Sequence, residues 1–448
     1  MGKKIFVKCG QSINAAIATA NPGDAIIVEE CVYHEAVVVN KNDIRLVAKE
    51  PHEAILDGTG TLPGSNGITI TAIGVEVNGF KIRNYTGDGI FVGANTHSIK
   101  LIDNKIHDVG RNGIELESFD NLIWKNTVKD SGMSGIISTV FRSNSSYIQN
   151  RVENVNNFGI SSIGCCNNLD NNEIERTGDT AININACCNF ITENQVKHSG
   201  GSGILTQCCS GIVGNTVKDT DNIGISAINC CSAVVNNYVE DNKSIGIFVA
   251  NGDNTVVGNN VKNSGSFGIK SGRFGEDLVL RNKVVGSGNN GIDGDVFGFE
   301  NFSRNLVANS RGSGIAVYGE FNTVLKNEIL ENENNGVTTN PGIGTQESNF
   351  ILQNKIEENR GDGIDVNATN NRSVVSNNEI NNNGEAGIRI SSSFNNIENN
   401  EIKENEDGII VEPTATDTFI ARNEVEDNED RNIINNGANT ILFDNDVN

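Results

Sequence analysis

Proline, tryptophan and aromatic residues in general are scarce in this chain of 448 residues. It contains 5 prolines, 1 tryptophan and 5% aromatic residues, against 49 glycines. So few large rings exclude a core built on aromatic packing, and abundant glycine with little proline is typical of ordered turns rather than of a disordered linker. No apolar run reaches the roughly 18 residues of a membrane span, so membrane insertion is not expected.

Positive charge is also in short supply. The 34 Lys and Arg residues are outnumbered by 57 Asp and Glu residues, which gives a formal net charge of −23. A polyanion repels nucleic acid and anionic membranes, so neither is an expected partner. Screening confines the repulsion to about 8–10 Å at physiological salt, so an acidic polysaccharide is disfavoured without being excluded.

What the chain has in abundance is internal repetition. A Gly-Ile step, or a close variant, recurs about every 22 to 24 residues, and an Asn-x-Ile or Asn-x-Val step recurs in phase with it. The first kind of mark lies at Gly67, Gly89, Gly113, Gly135, Gly159, Ala181, Gly203, Gly224, Gly246, Gly268, Gly291, Gly314, Gly336, Gly363, Gly387 and Gly408. The second lies at Asn104, Asn126, Asn150, Asn172, Asn194, Asn215, Asn237, Asn259, Asn282, Asn305, Asn327, Asn354, Asn378, Asn400, Asn423 and Asn445.

The spacing of the repeat predicts how the chain folds. After each glycine, apolar residues fall two positions apart, as in a strand with one buried face. Short strands joined by turns then stack coil on coil at about 4.8 Å, with the asparagines as an internal ladder. We predict an all-β, single-stranded right-handed parallel β-helix of about seventeen coils over residues 67–448. Residues 1–66 form an N-terminal cap and first coils, and the coils form one continuous domain.

The N-terminal segment differs from the coils. Residues 12–20 place apolar side chains at helical spacing, and Asn21-Pro22-Gly23-Asp24 ends that helix before a strand at Ala25. A short helix here would cover the apolar end of the first coil. The sequence SINAAIATANPGDAIIV, with the coils that follow, resembles pectate-lyase-like right-handed β-helix proteins. The resemblance implies polysaccharide lyase, hydrolase or epimerase activity.

Most motifs of those enzymes are missing. The Asn-Thr-Asp, Asp-Asp, His-Gly and Arg-Ile-Lys elements of polygalacturonase-type hydrolases do not occur, nor does the Asp-Pro-His of mannuronan epimerases. The segment Gly268-Ile269-Lys270-Ser271-Gly272 resembles the Lys-Ser of chondroitinase-B-like lyases. Asp293 stands where that family is expected to have an arginine one coil later, so only a partial lyase motif is present.

Outward positions of consecutive coils bring Lys270 beside Asp293. A lyase needs a base and a cation that acidifies the proton next to a uronate carboxylate; Lys270 or Arg273 is the candidate base. The plain alternative is a surface ion pair worth at most about 1 kcal/mol. The candidate residues are Lys270, Arg273 and Tyr318 for catalysis, Phe248 and Glu320 for substrate binding, and Asp293 and Asp295 for calcium, with Asp277 and Glu300 on adjoining turns.

Cysteine is concentrated on one turn of four consecutive coils. Equivalent Cα atoms would lie about 4.8 Å apart, within the roughly 4.4–6.8 Å that a disulfide permits, with one cysteine of each pair facing inward. Three interpretations stay open: packing of a tight turn, oxidation along the stack or to another molecule, and thiolate metal binding. The residues are Cys165, Cys166, Cys187, Cys188, Cys208, Cys209, Cys230 and Cys231, while Cys9 and Cys31 are positioned to pair in the cap.

The regular coils and the missing motifs favour a non-catalytic structural or adhesive solenoid. It would self-associate or join surface-layer proteins, with cross-linking through cysteine, at a cell or spore surface or outside the cell. The start of the chain shows no signal peptide, because Lys8 follows only three apolar residues. The alternative function is a calcium-dependent lyase acting on a uronate-containing polysaccharide, and carbohydrate binding without turnover is a third.

Overall fold

A computed structural model describes residues 2–229, 231–272, 275–294, 296, 298–342, 348–367 and 371–448. The chain forms two compact units, Met1–Asn222 and Ile223–Asn448. Each unit consists of coils of short strands that pair in parallel with the equivalent strands of the next coil. The prediction of an all-β, right-handed parallel β-helix is therefore confirmed. Within the described residues, no helix has the length and apolar character needed to cross a membrane.

The cap of the first unit contains one helix, α1 (Ile13–Thr19), as predicted. The Ser12 side chain caps it by accepting a hydrogen bond from the Ala15 N–H, and Ile13 and Ile17 are buried. The helix packs against the strands Lys4–Val7 and Val37–Val39. Cys9 and Cys31 form a disulfide with their Cα atoms 5.3 Å apart, which confirms the predicted pair.

The first unit has three parallel sheets. Sheet 1 contains Lys4–Val7, Ala25–Val28, Arg45–Ala48, Glu76–Asn78, Lys100–Ile102, Leu122–Trp124, Ser146–Ile148, Asn168–Asp170, Phe190–Thr192 and Gly211–Val213. Sheet 2 contains Cys31–Tyr33, Ala54–Asp57, Lys81–Arg83, Lys105–Val109, Thr127–Ser131, Arg151–Val155, Glu173–Thr177, Gln195–Ser199 and Thr216–Thr220. Sheet 3 contains Val37–Val39, Ile68–Ile70, Ile90–Val92, Ile114–Leu116, Ile136–Ser138, Ile160–Ser162, Ile182–Ile184 and Ile204–Gln207.

The second unit also has three parallel sheets. Sheet 4 contains Ile225–Ile228, Ile247–Ala250, Ile269–Ser271, Ile292–Asp293, Ile315–Tyr318, Val337–Asn340, Ile364–Val366, Ala386–Ile390, Asp407–Val411 and Arg431–Asn435. Sheet 5 contains Ala233–Val235, Thr255–Val257, Leu278–Leu280, Asn301–Ser303, Thr323–Leu325, Phe350–Leu352, Val374–Ser376, Asn396–Glu398, Phe419–Ala421 and Ile441–Phe443. Sheet 6 contains Tyr238–Asn242, Asn260–Lys262, Lys283–Val285, Leu306–Ala308, Glu328–Leu330, Lys355–Glu357, Glu379–Asn381, Glu401–Lys403, Glu424–Glu426 and Asp446–Val447.

The predicted asparagine ladder lies inside the coils. In the second unit, the Asn282 N–H and Nδ2 donate to Asn305 Oδ1 at 2.9 and 3.1 Å, and the pattern repeats from coil to coil. Asn327 and Asn354 are 27 residues apart, yet the same two bonds measure 2.9 and 3.0 Å. The ladder therefore keeps its register even where a coil is longer than the usual 22 to 24 residues.

The repeated glycine is required by packing at the start of the sheet 4 strands, except the last one, Arg431–Asn435, where Asn432 takes its place. At Gly268, a Cβ would lie 2.2 Å from Val284 Cγ1 and 2.6 Å from the Gly291 carbonyl oxygen. Side chains from sheet 6 fill this space, so any larger residue would displace both a core valine and backbone. This explains why the Gly-Ile mark and the asparagine mark share one period.

Candidate functional site

The outer face of sheet 4 carries the predicted site. Phe248, Lys270, Asp293 and Ala316 are Cα partners in consecutive coils of the second unit. Because inward and outward side chains alternate along a strand, the buried Ile269 and Ile292 put Lys270 and Asp293 on the opposite face. The predicted juxtaposition of Lys270 and Asp293 is thus present in the structure.

Three polar side chains converge on the Asp293 carboxylate. Lys270 Nζ donates to Asp293 Oδ2 at 2.6 Å, and Asn290 Nδ2 donates to Oδ1 at 2.7 Å. The Tyr318 hydroxyl also donates to Oδ1, at 3.3 Å. Asp293 is only 1% exposed, so this carboxylate is a buried charge held by its partners rather than half of a loose surface pair.

The cluster lies in a cavity of about 600 Å³ within the second unit. Its walls include the aromatic rings of Phe248, Phe267 and Tyr318, and Lys270 Nζ lies 4.1 Å from the centroid of the Phe267 ring. Gly272 also lines it, where a Cβ would lie 2.8 Å from the Ala250 Cβ. Apolar walls around a few convergent polar groups are typical of ligand sites.

The protonation of Tyr318 follows from this setting. Burial, and next the negative charge of Asp293, raise the pKa of Tyr318 to about 12. The phenol therefore keeps its proton at every physiological pH. It is suited to donate a proton and poorly suited to act as a base.

A second carboxylate approaches the cavity from the interior. Glu300 is 2% exposed and accepts a hydrogen bond from the Ser271 hydroxyl; a Cβ at Gly294 would lie 2.3 Å from its Oε2. Asp277, also 2% exposed, accepts from the Asn254 N–H and Nδ2 at 2.8 and 3.0 Å.

Asp277 and Glu300 lie on turns, as predicted, directly before the strands Leu278–Leu280 and Asn301–Ser303, but their side chains are buried. They occupy positions of a second interior ladder, in which Glu300 N donates to Asn322 Oδ1 at 3.1 Å and Asn322 N donates to Asn349 Oδ1 at 3.0 Å.

The other predicted site residues fall in three groups. Phe248 lines the cavity, as expected for a substrate contact, whereas Glu320 is half-buried on the turn beyond Tyr318. Arg273 and Asp295 lie outside the described residues. Sequence reasoning missed Asn290 and Phe267, which lie on the turns that precede two strands of sheet 4.

The predicted calcium site lies only partly within the described residues, because Asp295 is outside them. Among them, no three His, Cys, Asp or Glu side chains are grouped so that they would hold a metal ion. Both oxygens of Asp293 already accept hydrogen bonds from Lys270, Asn290 and Tyr318. A calcium ion would have to displace the Lys270 ammonium, so the calcium site at Asp293 and Asp295 stays a prediction.

The described cysteine pairs of the first unit lie on adjacent coils. Cys166 N donates to the Cys187 carbonyl oxygen at 3.3 Å, and Cys188 N donates to that of Cys209 at 2.8 Å. Cys166 and Cys188 are exposed, and Cys165, Cys187, Cys208 and Cys209 are half-buried. The expectation that one member of each pair faces inward is wrong for these pairs, because both members lie in the turn between the buried Ser162 and Asn167 or their equivalents. Cys230 lies outside the described residues.

A wider groove in the first unit is less suited to chemistry. Its volume is about 980 Å³, and its lining includes Asp130, Asn154 and Arg176, which have positive φ near the ends of three sheet 2 strands. Asn154 Nδ2 donates to Asp130 Oδ1 at 3.0 Å, and Arg176 Nε donates to Asn154 Oδ1 at 2.5 Å. These side chains bond to one another from coil to coil, so their polar atoms already have partners within the protein.

A charged cluster lies further along sheet 4. Arg389, the Cα partner of Asp365, donates through Nε and Nη2 to the two oxygens of Asp362 at 2.9 and 3.0 Å, and through Nη1 to Glu412 at 2.9 Å. Burial, and next the charge of Asp362, raise the pKa of Asp365 to about 6.

The raised pKa makes stability depend on pH. An aspartate titrates near 3.9 when unfolded, so the stabilisation from a protonated Asp365 is complete below about pH 4 and lost as pH rises through 6. We expect Asp365→Asn to raise the free energy of unfolding by about 1–3 kcal/mol at pH 8, because each pKa unit corresponds to roughly 1.4 kcal/mol. At pH 4 the substitution should have no measurable effect, because Asp365 is then protonated in the folded protein. Urea unfolding at both pH values measures this, with the exposed Asp430→Asn as control. A variant less stable than the parent at pH 8 would contradict it.

The family of the chain follows from its sequence. A family model described as right handed beta helix region matches residues 66–210, 202–342 and 338–447. These segments cover most of the chain, which therefore belongs to the right-handed β-helix family. Comparison of the sequence with curated proteins gave no significant match.

Solved structures with a similar fold have very different sequences. A mannuronic acid specific polysaccharide family 6 lyase from human gut microbiota is 14% identical, over 73% of this chain and 86% of its own, with a TM-score of 0.46. The pre-mature gene product 12 of bacteriophage phi29 is 10% identical, over 96% and 71%, with a TM-score of 0.49. The A-module of the Azotobacter vinelandii mannuronan C-5 epimerase is 15% identical, over 99% and 97%, with a TM-score of 0.37. These similarities concern the fold alone.

Proposed function

We propose that this protein cleaves a uronate-containing polysaccharide by β-elimination in the cavity around Lys270, Asp293 and Tyr318. The observation that carries the proposal is the convergence of Lys270 and Tyr318, from different coils, on one buried carboxylate. A β-elimination requires one group that takes a proton and one that gives a proton, and Asp293 connects two such groups.

The proposed proton transfers form a closed cycle. Lys270 passes one proton to Asp293 across their 2.6 Å hydrogen bond, and the neutral amine takes the proton from the sugar carbon next to the carboxylate. The C–H electron pair forms a carbon–carbon double bond, and the bond to the neighbouring glycosidic oxygen breaks. Tyr318 gives its proton to that oxygen, and Asp293 returns a proton to Tyr318. No oxidant or reductant is consumed.

The surroundings of Asp293 support this role. Asp293 is 1% exposed, and Lys270 Nζ lies 2.6 Å from its Oδ2. Asn290 Nδ2 holds Oδ1 in place whichever way the proton moves. The phenol of Tyr318 stays protonated until the glycosidic bond breaks, because its pKa is about 12.

The test is a turnover assay on a small panel of polymers. Polymannuronate, polyguluronate, pectate and a glycosaminoglycan are incubated with the purified protein, with added calcium and separately with a chelator. The ultraviolet absorbance of the unsaturated uronate product is recorded. Product from at least one polymer supports the proposal, and the chelator arm tests the calcium prediction. No product from any polymer in either arm would refute the proposed lyase activity.

The turns that carry the paired cysteines favour a second function, in which the protein is a surface solenoid that is cross-linked through disulfides. Cys166 and Cys188 are exposed and carry free thiols on adjacent coils of the first unit, and their backbones have φ of 61° and 58°. A chain that faces such thiols toward solvent is suited to form disulfides with a second copy of itself. Two thiols would lose two protons and two electrons to dioxygen for each bond formed.

We expect the air-oxidised protein to give reductant-sensitive species of higher mass on a non-reducing gel. The double variant Cys166→Asn/Cys188→Asn should lose most of them, and asparagine tolerates the same positive φ. Thiol titration of the monomer separates the other interpretations. A monomer with fewer thiols indicates oxidation along the stack, and a monomer with all thiols retained indicates packing alone; either outcome would contradict cross-linking.

A further inference from the structure

Two phenylalanines form an exposed pair on equivalent turns of adjacent coils, each turn following a strand of sheet 4. The rings of Phe299 and Phe321 have centroids 5.4 Å apart and are tilted by 33°. Their exposed fractions are 47% and 45%, in a chain with very few aromatic residues. Exposed large apolar side chains that lie together mark a surface that contacts another molecule.

The backbone at both positions is unfavourable for phenylalanine. Phe299 has φ of 66° and Phe321 has φ of 58°, a left-handed conformation that bulky residues rarely adopt. Glycine or asparagine would fit each position with less strain. The structure nevertheless holds both residues firmly, since Phe299 N donates to the Glu320 carbonyl oxygen and Phe321 N to that of Ser348, both at 2.8 Å.

The pair lies close to the cavity along the chain. Tyr318 and Val296 line the cavity, and each is followed by one of the phenylalanines within three residues. Three residues span at most about 10–11 Å, so the Cα atoms of the two phenylalanines lie within that distance of the Cα atoms of cavity-lining residues. The turn between Tyr318 and Phe321 is fixed by Asn322, whose Nδ2 donates to the Tyr318 carbonyl oxygen at 2.8 Å.

We propose that the Phe299–Phe321 pair is a stacking subsite for a sugar ring of the polymer outside the cavity. This inference rests on the proposed function and extends it: the ligand is a chain that passes through the cavity and over the turn, not a short oligosaccharide. The C–H face of a sugar packs on an aromatic ring and buries apolar area from both, whatever the charge of the polymer. The half-buried Glu320 lies on the same turn.

The test compares one double variant with a matched control. Phe299→Asn/Phe321→Asn removes both rings and suits the left-handed backbone. Phe394→Asn is the control, because Phe394 is also exposed, has φ of 60° and lies on a later turn of the same kind, where its ring pairs with Arg372. Retention on immobilised polymannuronate, polyguluronate, pectate and the glycosaminoglycan is measured, together with KM and kcat on the polymer that is turned over and on its tetrasaccharide.

We expect the double variant to raise KM for the polymer about tenfold or to lose retention, with kcat and the tetrasaccharide unchanged. Its Tm should be equal or higher, which a purely structural role for the rings does not predict. Phe394→Asn should leave KM and retention unchanged. An unchanged polymer KM or retention in the double variant would overturn the subsite.

The outcomes also separate this subsite from the proposed reaction. If the parent protein is retained on a polymer but does not cleave it, and the double variant is no longer retained, the lyase activity is overturned and the subsite is supported. Turnover with an unchanged KM in the double variant would support the lyase and overturn the subsite. Neither retention nor turnover on any of the polymers would overturn both.

Discussion

Replacing Lys270 by methionine should lower turnover of the polymer by about 10²–10⁴-fold, the usual contribution of general acid–base catalysis. Methionine retains most of the length of lysine but takes up no proton. It also leaves the buried Asp293 carboxylate without its cation, which costs up to about 3–5 kcal/mol of stability. A loss of activity in this variant alone would therefore be ambiguous.

The double variant Lys270→Met/Asp293→Asn resolves that ambiguity. It removes the ion pair as a whole, so the free energy of unfolding should recover while turnover stays lost. Tyr318→Phe should lose turnover without loss of the ion pair. Lys283→Met, at an exposed lysine of sheet 6, is the matched control and should behave like the parent. Activity within about threefold of the parent in the well-folded double variant would contradict the proposed roles, since acid–base catalysis is worth far more.

Replacing Asn305 by alanine should destabilise the second unit by about 3–6 kcal/mol, because several buried polar groups lose their partners at about 1–3 kcal/mol each. Asn305 Oδ1 accepts from the Asn282 N–H and Nδ2, and Asn305 Nδ2 donates to the Val279 carbonyl oxygen at 2.9 Å and to Asn327 Oδ1 at 3.0 Å. Alanine supplies none of these groups, and the site is 1% exposed.

The matched control is Asn309→Ala. Asn309 is exposed and has φ of 56°, so its loss should cost only the preference of asparagine for that conformation, about 1 kcal/mol. Urea unfolding followed by circular dichroism, with both midpoint and slope, gives the two values. Equal losses in the two variants would show that the ladder contributes little to stability.

The coil architecture could be predicted from the sequence because two marks constrain the same register. Asparagine at the ladder has to meet the next asparagine, and Gly268 and its equivalents leave room for a core side chain of the neighbouring strand. A shift of one residue would turn the inward set outward, so the period in the sequence fixes which residues stack. Lys270 and Asp293 could be paired on that basis alone.

The rest of the site depends on turns, whose conformation the period does not fix. Asn290 and Phe267 reach Asp293 and Lys270 from turns, through side-chain directions that no spacing rule supplies. The burial of Asp277 and Glu300 on their turns was not foreseen, because acidic residues are rarely buried. The sequence did contain the relevant signal, since both fall in phase with Asn254 and Asn322 of the interior ladder.

The unequal coil between Asn327 and Asn354 has a consequence for how this molecule can diversify. Its ladder bonds are as short as those of coils with 22 or 23 residues, so the extra residues leave the scaffold unchanged. A longer connection between two ladder positions is thus compatible with an unbroken ladder. The length of such a connection can therefore vary, naturally or by grafting, without a change in the hydrogen bonds that hold the coils in register.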